Sequence, residues 1–334
     1  MADPIPGADS RTHHALDAAL RAAVRAPSPH NTQPWRFFVE DGHIDVLLDR
    51  TRVLRVADPE GREALLACGA AVLNLRVALT AEAMASTVEL LPDKGVPDLL
   101  ARVWPGRPRT PTTEELRLAR MIGRRHTNRR PFDDRAVPAH VRHTLTVAAA
   151  EEGARLILLE QPRLDRLAVL LRRADHEQAG DPAFRAELRA WTHEGDGRRD
   201  GVPYSAGGPR ALREGLLALR DYGNGVPGTT RHEREFERAP LVGVLTTSGD
   251  TRRHALRAGQ AMERVLLTAT SAGLNASFLA QPIEIGSARE ELRSILGEHE
   301  YPQTVLRFGF GYPGGLTPRR TVDEVTRWGG WRDG

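Results

Sequence analysis

Hydrophobic positions along the chain alternate between a helical and a strand period, and the switches divide it into elements. Leu16, Leu20, Ala23 and Val24 recur at helical spacing across 12–26, and Pro27 and Pro29 end that helix. Phe37–Val39 and Ile44–Leu48 flank Asp41-Gly42, which predicts a β-hairpin with a two-residue turn. Residues 60–85 are nearly all apolar over a helical length. Ala67, Gly69, Ala70 and Ala71 in that stretch allow another helix to approach closely. Strands are expected at 86–92 and 99–104, then a proline-rich break at 105–111. The pattern restarts with a helix at 112–123, the basic stretch RRHTNRRPF at 124–132, a helix at 138–151, a strand at 154–160 and charged helices over 162–194. Segment 195–232 is glycine-rich and mostly polar, with one helix expected at 209–221. Connections of that length are usually functional lids or disordered. A strand at 240–247, a long helix at 252–273 and strands at 276–280 and 303–311 precede the tail TPRRTVDEVTRW.

The order helix, strand pair, long small-residue helix, strand occurs twice. GAAVLNLRVALTAEAM at 69–84 parallels GQAMERVLLTATSAGL at 259–274. Internal duplication is the economical explanation, and shared composition of two apolar helices is the alternative.

Composition narrows the classes. With 40% hydrophobic and 27% charged residues, the 334-residue chain reads as globular. Its single cysteine, Cys68, excludes an internal disulfide and any multi-thiolate metal site, and no histidine spacing suggests a metal. Cys68 has no charged neighbour and reads as core. No apolar run approaches a membrane span of about 18 residues, and no secretory h-region opens the chain, so a cytoplasmic location without membrane contact is expected. The net charge of +3 comes from 47 basic and 44 acidic residues, and Lys94 is the sole lysine. The arginines alternate with acids along 163–175 and 184–194, as on a solvated face, which argues against a nucleic-acid partner.

Gly309-x-Gly311-x-x-Gly314 lacks the helix that a dinucleotide fingerprint requires. Two segments remain. APSPHNTQPWRF at 26–37 gathers Ser, His, Asn, Thr and Gln in a proline-rigid loop, suited to a ligand or simply a helix exit. Arg124, Arg125, Arg129 and Arg130 surround Thr127 and Asn128, suited to a phosphate group or a solvated helix end.

APSPHNTQPWRFFV resembles the A-P-S-x-x-N-x-Q-P-W-x-F segment of FMN-dependent nitroreductases. RRHTNRRPFDDRAVP resembles that family's R-R-x-S/T-x-R/K-x-F-x-x-x-x-V-P segment, with one residue extra before Phe132. AGQAMERVLLTATSAGLNASFLAQP at 258–282 and VLRFGFGYP…PRR at 305–320 resemble its later helix and turn and its closing strand and tail. In ordinary members the arginine segment precedes the A-P-S loop in one subunit, and two subunits build two sites. Here the loop lies in the first half and the arginines in the second, which resembles the Acg-like branch, a fused pseudo-dimer. DGVP at 200–203 resembles that branch's lid over the flavin.

The resemblance implies an internally duplicated α+β nitroreductase-like fold with mixed and antiparallel sheets flanked by helices. Its halves would be 1–111 and 112–334, with a lid inserted at about 195–232. It implies FMN as cofactor, with NAD(P)H as a candidate electron donor. Arg125, Thr127, Arg319 and Arg320 would hold the phosphate, and Arg129 would reach the N1–C2 edge of the isoalloxazine, where a cation raises the potential. Ser28, Asn31 and Gln33 would contribute from the opposite half, and Leu279, Ala280 and Gln281 would lie near N5 and O4. Ala280 and Gln281 replace an acidic residue and a glycine often seen in that turn. The expected function is hydride transfer to an electron-poor small molecule, by a monomer acting as a pseudo-dimer or by a homodimer. The rival functions are FMN storage under a closed lid and a flavin-dependent tailoring oxidase.

Overall fold

The computed structural model describes residues 10–195, 197–211, 216–223, 233–297 and 299–329. The first elements are α1 (Ser10–Ala23), β1 (Trp35–Glu40), β2 (His43–Leu48), α2 (Arg62–Ala81), β3 (Met84–Leu90) and β4 (Leu99–Pro108). Next come α3 (Thr113–Ile122), α4 (Ala139–Ala150), β5 (Arg155–Leu158), α5 (Gln161–Gly180) and α6 (Pro182–Ala190). Four two-residue strands follow: β6 (Thr192–His193), β7 (Val202–Pro203), β8 (Arg210–Ala211) and β9 (Glu233–Arg234). The last elements are β10 (Leu241–Thr247), α7 (Arg252–Ser271), β11 (Asn275–Phe278), α8 (Gln281–Glu284), α9 (Gly286–Leu296), β12 (Tyr301–Gly309), α10 (Val322–Val325) and β13 (Thr326–Trp328).

Two large sheets result, in an α+β arrangement, beside the two-stranded pairs β6-β7 and β8-β9. The first has the order β13-β1-β2-β4-β3, and the second β11-β12-β10-β5. Every pairing in them is antiparallel except β1 with β13. The β1–β2 hairpin turns where expected. Glu40 pairs with His43, and Asp41 and Gly42 both take positive φ, of 46° and 75°. A turn with two left-handed residues matches the twist of the strands it joins.

Between the sheets α2 crosses α7 at their glycines. A Cβ on Gly69 would overlap the carbonyl oxygen of Leu256 and lie 3.1 Å from the Gly259 Cα. Only side-chain-free backbones can approach so closely. Seventeen of the residues of α2, including Leu66, Leu73, Asn74 and Leu79, are buried. By length and composition α2 could cross a membrane, which corrects the reading that no segment matches a span. Its surface is instead covered by α1, α7 and the first sheet, so its apolar residues build the core.

Two further expectations fail for physical reasons. The strand at 99–104 continues through Pro105 to Pro108. Pairing of β4 with β2 ends at Val103, so the prolines fall where no amide is needed on that side. The helix expected at 209–221 is absent from its described residues. Arg210–Ala211 pairs with β9, residues 216–221 form no helix, and 212–215 lie outside the described residues. Leu217 is taken up by the core of α5 and α9, and Arg220 by Glu284. The tail, for which the sequence predicted no element, ends in β13, which crosses to the first sheet and pairs Phe37 with Thr326.

Candidate functional site

The A-P-S loop is shaped by its own side chains. The Ser28 Oγ accepts from the Gln33 amide at 2.9 Å. His30, Asn31 and Gln33 all adopt left-handed backbone, with φ of 46°, 58° and 52°. Each such residue costs on the order of 1–3 kcal/mol and persists only when its surroundings fix it. Two distant segments do so. The Asn31 Nδ2 donates to the carbonyls of Gly201 and Pro318, both at 2.9 Å. The Gln33 Nε2 donates to the Arg199 carbonyl at 2.8 Å, and its Oε1 accepts from the Arg320 amide at 2.8 Å. Asn31 and Gln33 therefore bind the loop to the 199–201 segment and to the tail.

The arginine segment is fastened to the second sheet. Thr127 bridges Ala276, and the Asn128 amide donates to the Ala276 carbonyl at 2.8 Å. The Asn128 Oδ1 accepts from the Arg130 amide at 3.0 Å, a turn that takes up the extra residue before Phe132. Buried Arg307 then locks the exit. It donates to Glu237 at 2.7 Å and to the Arg130 carbonyl at 2.9 Å, and lies 4.0 Å over the Phe132 ring.

These segments bring together a group of cations. Arg125 is 4% exposed and lies 3.5 Å from the fully buried carboxylate of Glu263. Arg319 comes from the tail. Burial, together with Arg125, Arg25 and Arg129 and against the pull of Glu263, depresses its guanidinium to about 9. The Arg319 Nε is buried without a partner. One carboxylate thus faces several guanidinium groups, a charge balance that an anion would complete.

Beside this group opens a cleft whose empty space, open solvent included, is about 900 Å³. Of the predicted residues, Ser28, Thr127, Arg129, Ala280 and Gln281 line it. Arg125 and Arg319 do not line it, although Arg129 on its wall acts electrostatically on Arg319. Asn31, Gln33, Leu279 and Arg320 are not on the wall either. The Leu279 amide is spent on the Val305 carbonyl at 3.0 Å, and an Arg320 Nη donates to the Glu324 carbonyl at 2.7 Å.

The cleft also carries residues that no motif announced. Arg220 and Tyr222, from the stretch between α6 and β10, line it with His30, Glu63 and Glu284. Glu284 accepts from both Arg220 Nη atoms at 2.9 and 2.5 Å, and from the Gln178 Nε2 at 2.5 Å. Arg129 lies 4.6 Å over the Tyr222 ring. Burial, then Arg220 and Arg129, hold His30 well below the usual histidine value, so its ring is neutral. The sole available signal was His30 itself, inside the loop motif.

A second cavity, of about 670 Å³, lies on another flank of the central helices, lined by Arg76, Arg109, Glu115 and Arg264 among others. Its arginines are already paired: Arg76 with Glu152 at 2.6 Å, Arg264 with Glu152 at 2.7 Å and Arg109 with Glu115 at 2.5 Å.

No protein-family model matches the chain. It is 32% identical over 319 residues to a Mycobacterium tuberculosis protein named as an NAD(P)H nitroreductase, Acg, covering 94% of this chain and 96% of that one. A second M. tuberculosis protein, also named as an NAD(P)H nitroreductase, is 32% identical over 314 residues, covering 92% of this chain and 90% of that one. Among solved structures, the FMN-dependent nitroreductase NfnB of Mycobacterium smegmatis in complex with NADPH overlays with a TM-score of 0.41. It is 18% identical and covers 64% of this chain and 98% of that one, a likeness too loose to carry an argument. With relatives at this identity matched over nearly their whole length, the chain belongs to the NAD(P)H nitroreductase family, in its Acg-like branch.

Proposed function

We propose that the cleft holds one FMN and that the protein is an NAD(P)H-dependent oxidoreductase acting on an electron-poor small molecule. The observation that carries this reading is the buried cation group. Arg125 and Arg319 share the one carboxylate Glu263, and the orphaned Arg319 Nε lacks an acceptor. A phosphate monoester supplies both the missing charge and the acceptor oxygens, and guanidinium forks suit it.

In this reading Arg125 and Arg319 hold the phosphate, with Thr127 beside them. Arg129 lies along the cleft toward the ring system, where its charge favours electron uptake. Ser28, Ala280 and Gln281 form the adjoining walls, and Asn31 and Gln33 act indirectly by fixing the loop. Arg320 gives its amide to Gln33 and one Nη to the Glu324 carbonyl, so it ties the tail to the loop. FMN, when bound, supplies the two-electron chemistry of accepting a hydride and passing it on.

The division near residue 111 follows from the same reading. β1–β4 belong to the first sheet and β5, β10, β11 and β12 to the second. Ser28 and Glu63 come from the first half, and Thr127, Arg129 and Gln281 from the second. One chain therefore furnishes both sides of the cleft, which supports a monomer working as a pseudo-dimer.

Anaerobic mixing of the yellow protein with NADH or NADPH tests the function. Rapid bleaching is expected. Reduction by dithionite alone would overturn the reductase reading in favour of storage.

A further inference from the structure

Three carboxylates stand close together at the lid end of the cleft, and they differ in what holds them. Asp58 caps α2, accepting from the amides of Glu63 at 3.0 Å and Ala64 at 2.8 Å. Burial raises its carboxyl to about 6, and the two N–H donors at the helix N-terminus hold that rise in check. Glu284 is held by both Arg220 Nη atoms and by Gln178. Glu63 has no such support. It lies in the first turn of α2 and lines the cleft, and its Oε2 is buried with no hydrogen-bond partner. A buried carboxylate without a donor costs far more than the neutral acid in the same place.

We propose that Glu63 is the proton donor of this enzyme, a neutral carboxylic acid that delivers its proton to the oxygen of the acceptor reduced in the cleft. This rests on the oxidoreductase reading above. The charged groups facing Glu63 are Glu284 on α8, Asp58 ahead of α2, Arg62 beside it and Arg220 from the lid segment. Burial first, then the charges of Glu284 and Asp58, raise its carboxyl to about 8 against the opposing pull of Arg62 and Arg220. His30 on the same wall is held neutral by burial and by Arg220 and Arg129, so it carries no proton to give.

The chemistry balances. Reduction of a quinone to a hydroquinone takes two electrons and two hydrogens. The hydride that originates from NAD(P)H, which is oxidised to NAD(P)+, carries both electrons and one hydrogen. The second hydrogen is a proton. The O–H bond of Glu63 breaks, an O–H bond forms on the acceptor, and the carboxylate takes a proton back from water at the cleft mouth. The acceptor class that uses this group is therefore one that takes up a proton at a carbonyl or nitro oxygen as it is reduced.

The test uses the holoprotein and its Glu63→Gln variant. The first readout is infrared difference spectroscopy across pH on protein labelled at glutamate carboxyls. A protonated-carboxyl band that titrates above neutrality is expected, and it should vanish in the variant. The second readout compares reoxidation by p-benzoquinone, which needs protons, with reoxidation by ferricyanide, which does not, after dithionite reduction. The quinone-to-ferricyanide rate ratio should fall by about ten- to a hundredfold in the variant, at the lower end of general-acid effects. It should also lose its decline above pH 8. An infrared band that persists in the variant, or an unchanged rate ratio, overturns the proposal. Dithionite keeps this test separate from the reading on which it rests, because failure of NAD(P)H to reduce the protein would sink that reading alone. Should Glu63→Gln not fold, Glu284→Gln serves. Removing that charge should move the Glu63 band to lower pH, and an unmoved band counts against the assignment.

Discussion

Gly69 and Gly259 touch across the crossing of α2 and α7, and each occupies the space that a side chain on the other would need. A Cβ on Gly259 would overlap the Leu66 carbonyl oxygen and lie 2.9 Å from the Gly69 Cα; the converse contacts involve Leu256 and Gly259. Leu66 and Leu256 stand at the same place on their helices, one turn N-terminal to the glycine, so the contact is nearly two-fold. Gly69→Ala or Gly259→Ala forces main chain against main chain, where no side chain can rotate away. A loss of at least about 1–3 kcal/mol, the usual cost of overpacking, is expected from urea unfolding. Neutral effects at both positions would contradict the crossing.

Arg125→Ala combined with Arg319→Ala removes the two cations assigned to the FMN phosphate. Charge-assisted hydrogen bonds are worth about 1.5–3 kcal/mol each, so FMN affinity should fall by a few decades and the protein should purify largely colourless. Full flavin occupancy in the double variant would place the phosphate elsewhere.

The pH dependence of anion binding follows from Arg319, whose guanidinium is depressed to about 9 by burial and by Arg125. Inorganic phosphate should therefore raise the Tm of flavin-free protein at pH 7 and lose that effect as the pH passes about 9. An effect that is flat from pH 7 to 10 would remove Arg319 from the site.

Stoichiometry should be one FMN per chain. The second cavity has arginines, but Glu115 and Glu152 already neutralise them. Where α1 and β1 are joined by the long loop around Ser28, α4 and β5 are joined by a short turn through Gly153, whose φ is +73°. Heat release of flavin and its absorbance, compared with protein concentration, gives the ratio. A saturated value near two would refute the assignment of a single site.

Glu63 also leaves a signature in stability. Its carboxyl is raised from an ordinary 4.5 to about 8, so the folded chain retains a proton that the unfolded chain has released. Stability is therefore lost as the pH rises from about 4.5 to about 8, at up to about 1.4 kcal/mol per unit. Glu63→Gln removes that loss, so its stability relative to the wild type should improve by a few kcal/mol between pH 5 and pH 9. Equal differences at the two pH values, from urea midpoints, would mean that Glu63 titrates normally.

The parts of this molecule that were legible in its sequence are those written in short stretches. The Asp41-Gly42 turn, the Pro27 stop and the parallel glycines of the two central helices each depend on neighbours along the chain. The loop and arginine motifs marked the cleft because each is a contiguous string. Glu63, Glu284 and Arg220 share no string, since they meet only through folding of α2, α8 and the lid segment. The 209–221 stretch favours helix locally, yet Arg220 is held by Glu284 and Leu217 by the second core, and tertiary partners outweigh so weak a propensity. Strand β13 is three residues long and carries too little pattern to be read in advance.

That strand changes what the tail arginines are. Residues 310–325 leave the second sheet at Gly309 and are pinned to the first at Thr326, where the Gly329 amide reaches the Val39 carbonyl and Trp328 stacks 4.7 Å from His13. Arg319 thus rides on a strap stretched between two bodies, and its place depends on the distance between them. A phosphate clasped by Arg319 acts as a rivet through that strap. Cofactor affinity and the docking of the two sheets then become one thermodynamic quantity, so emptying the cleft should loosen hydrogen-exchange protection at β13, on the far edge of the sheet that begins at Trp35.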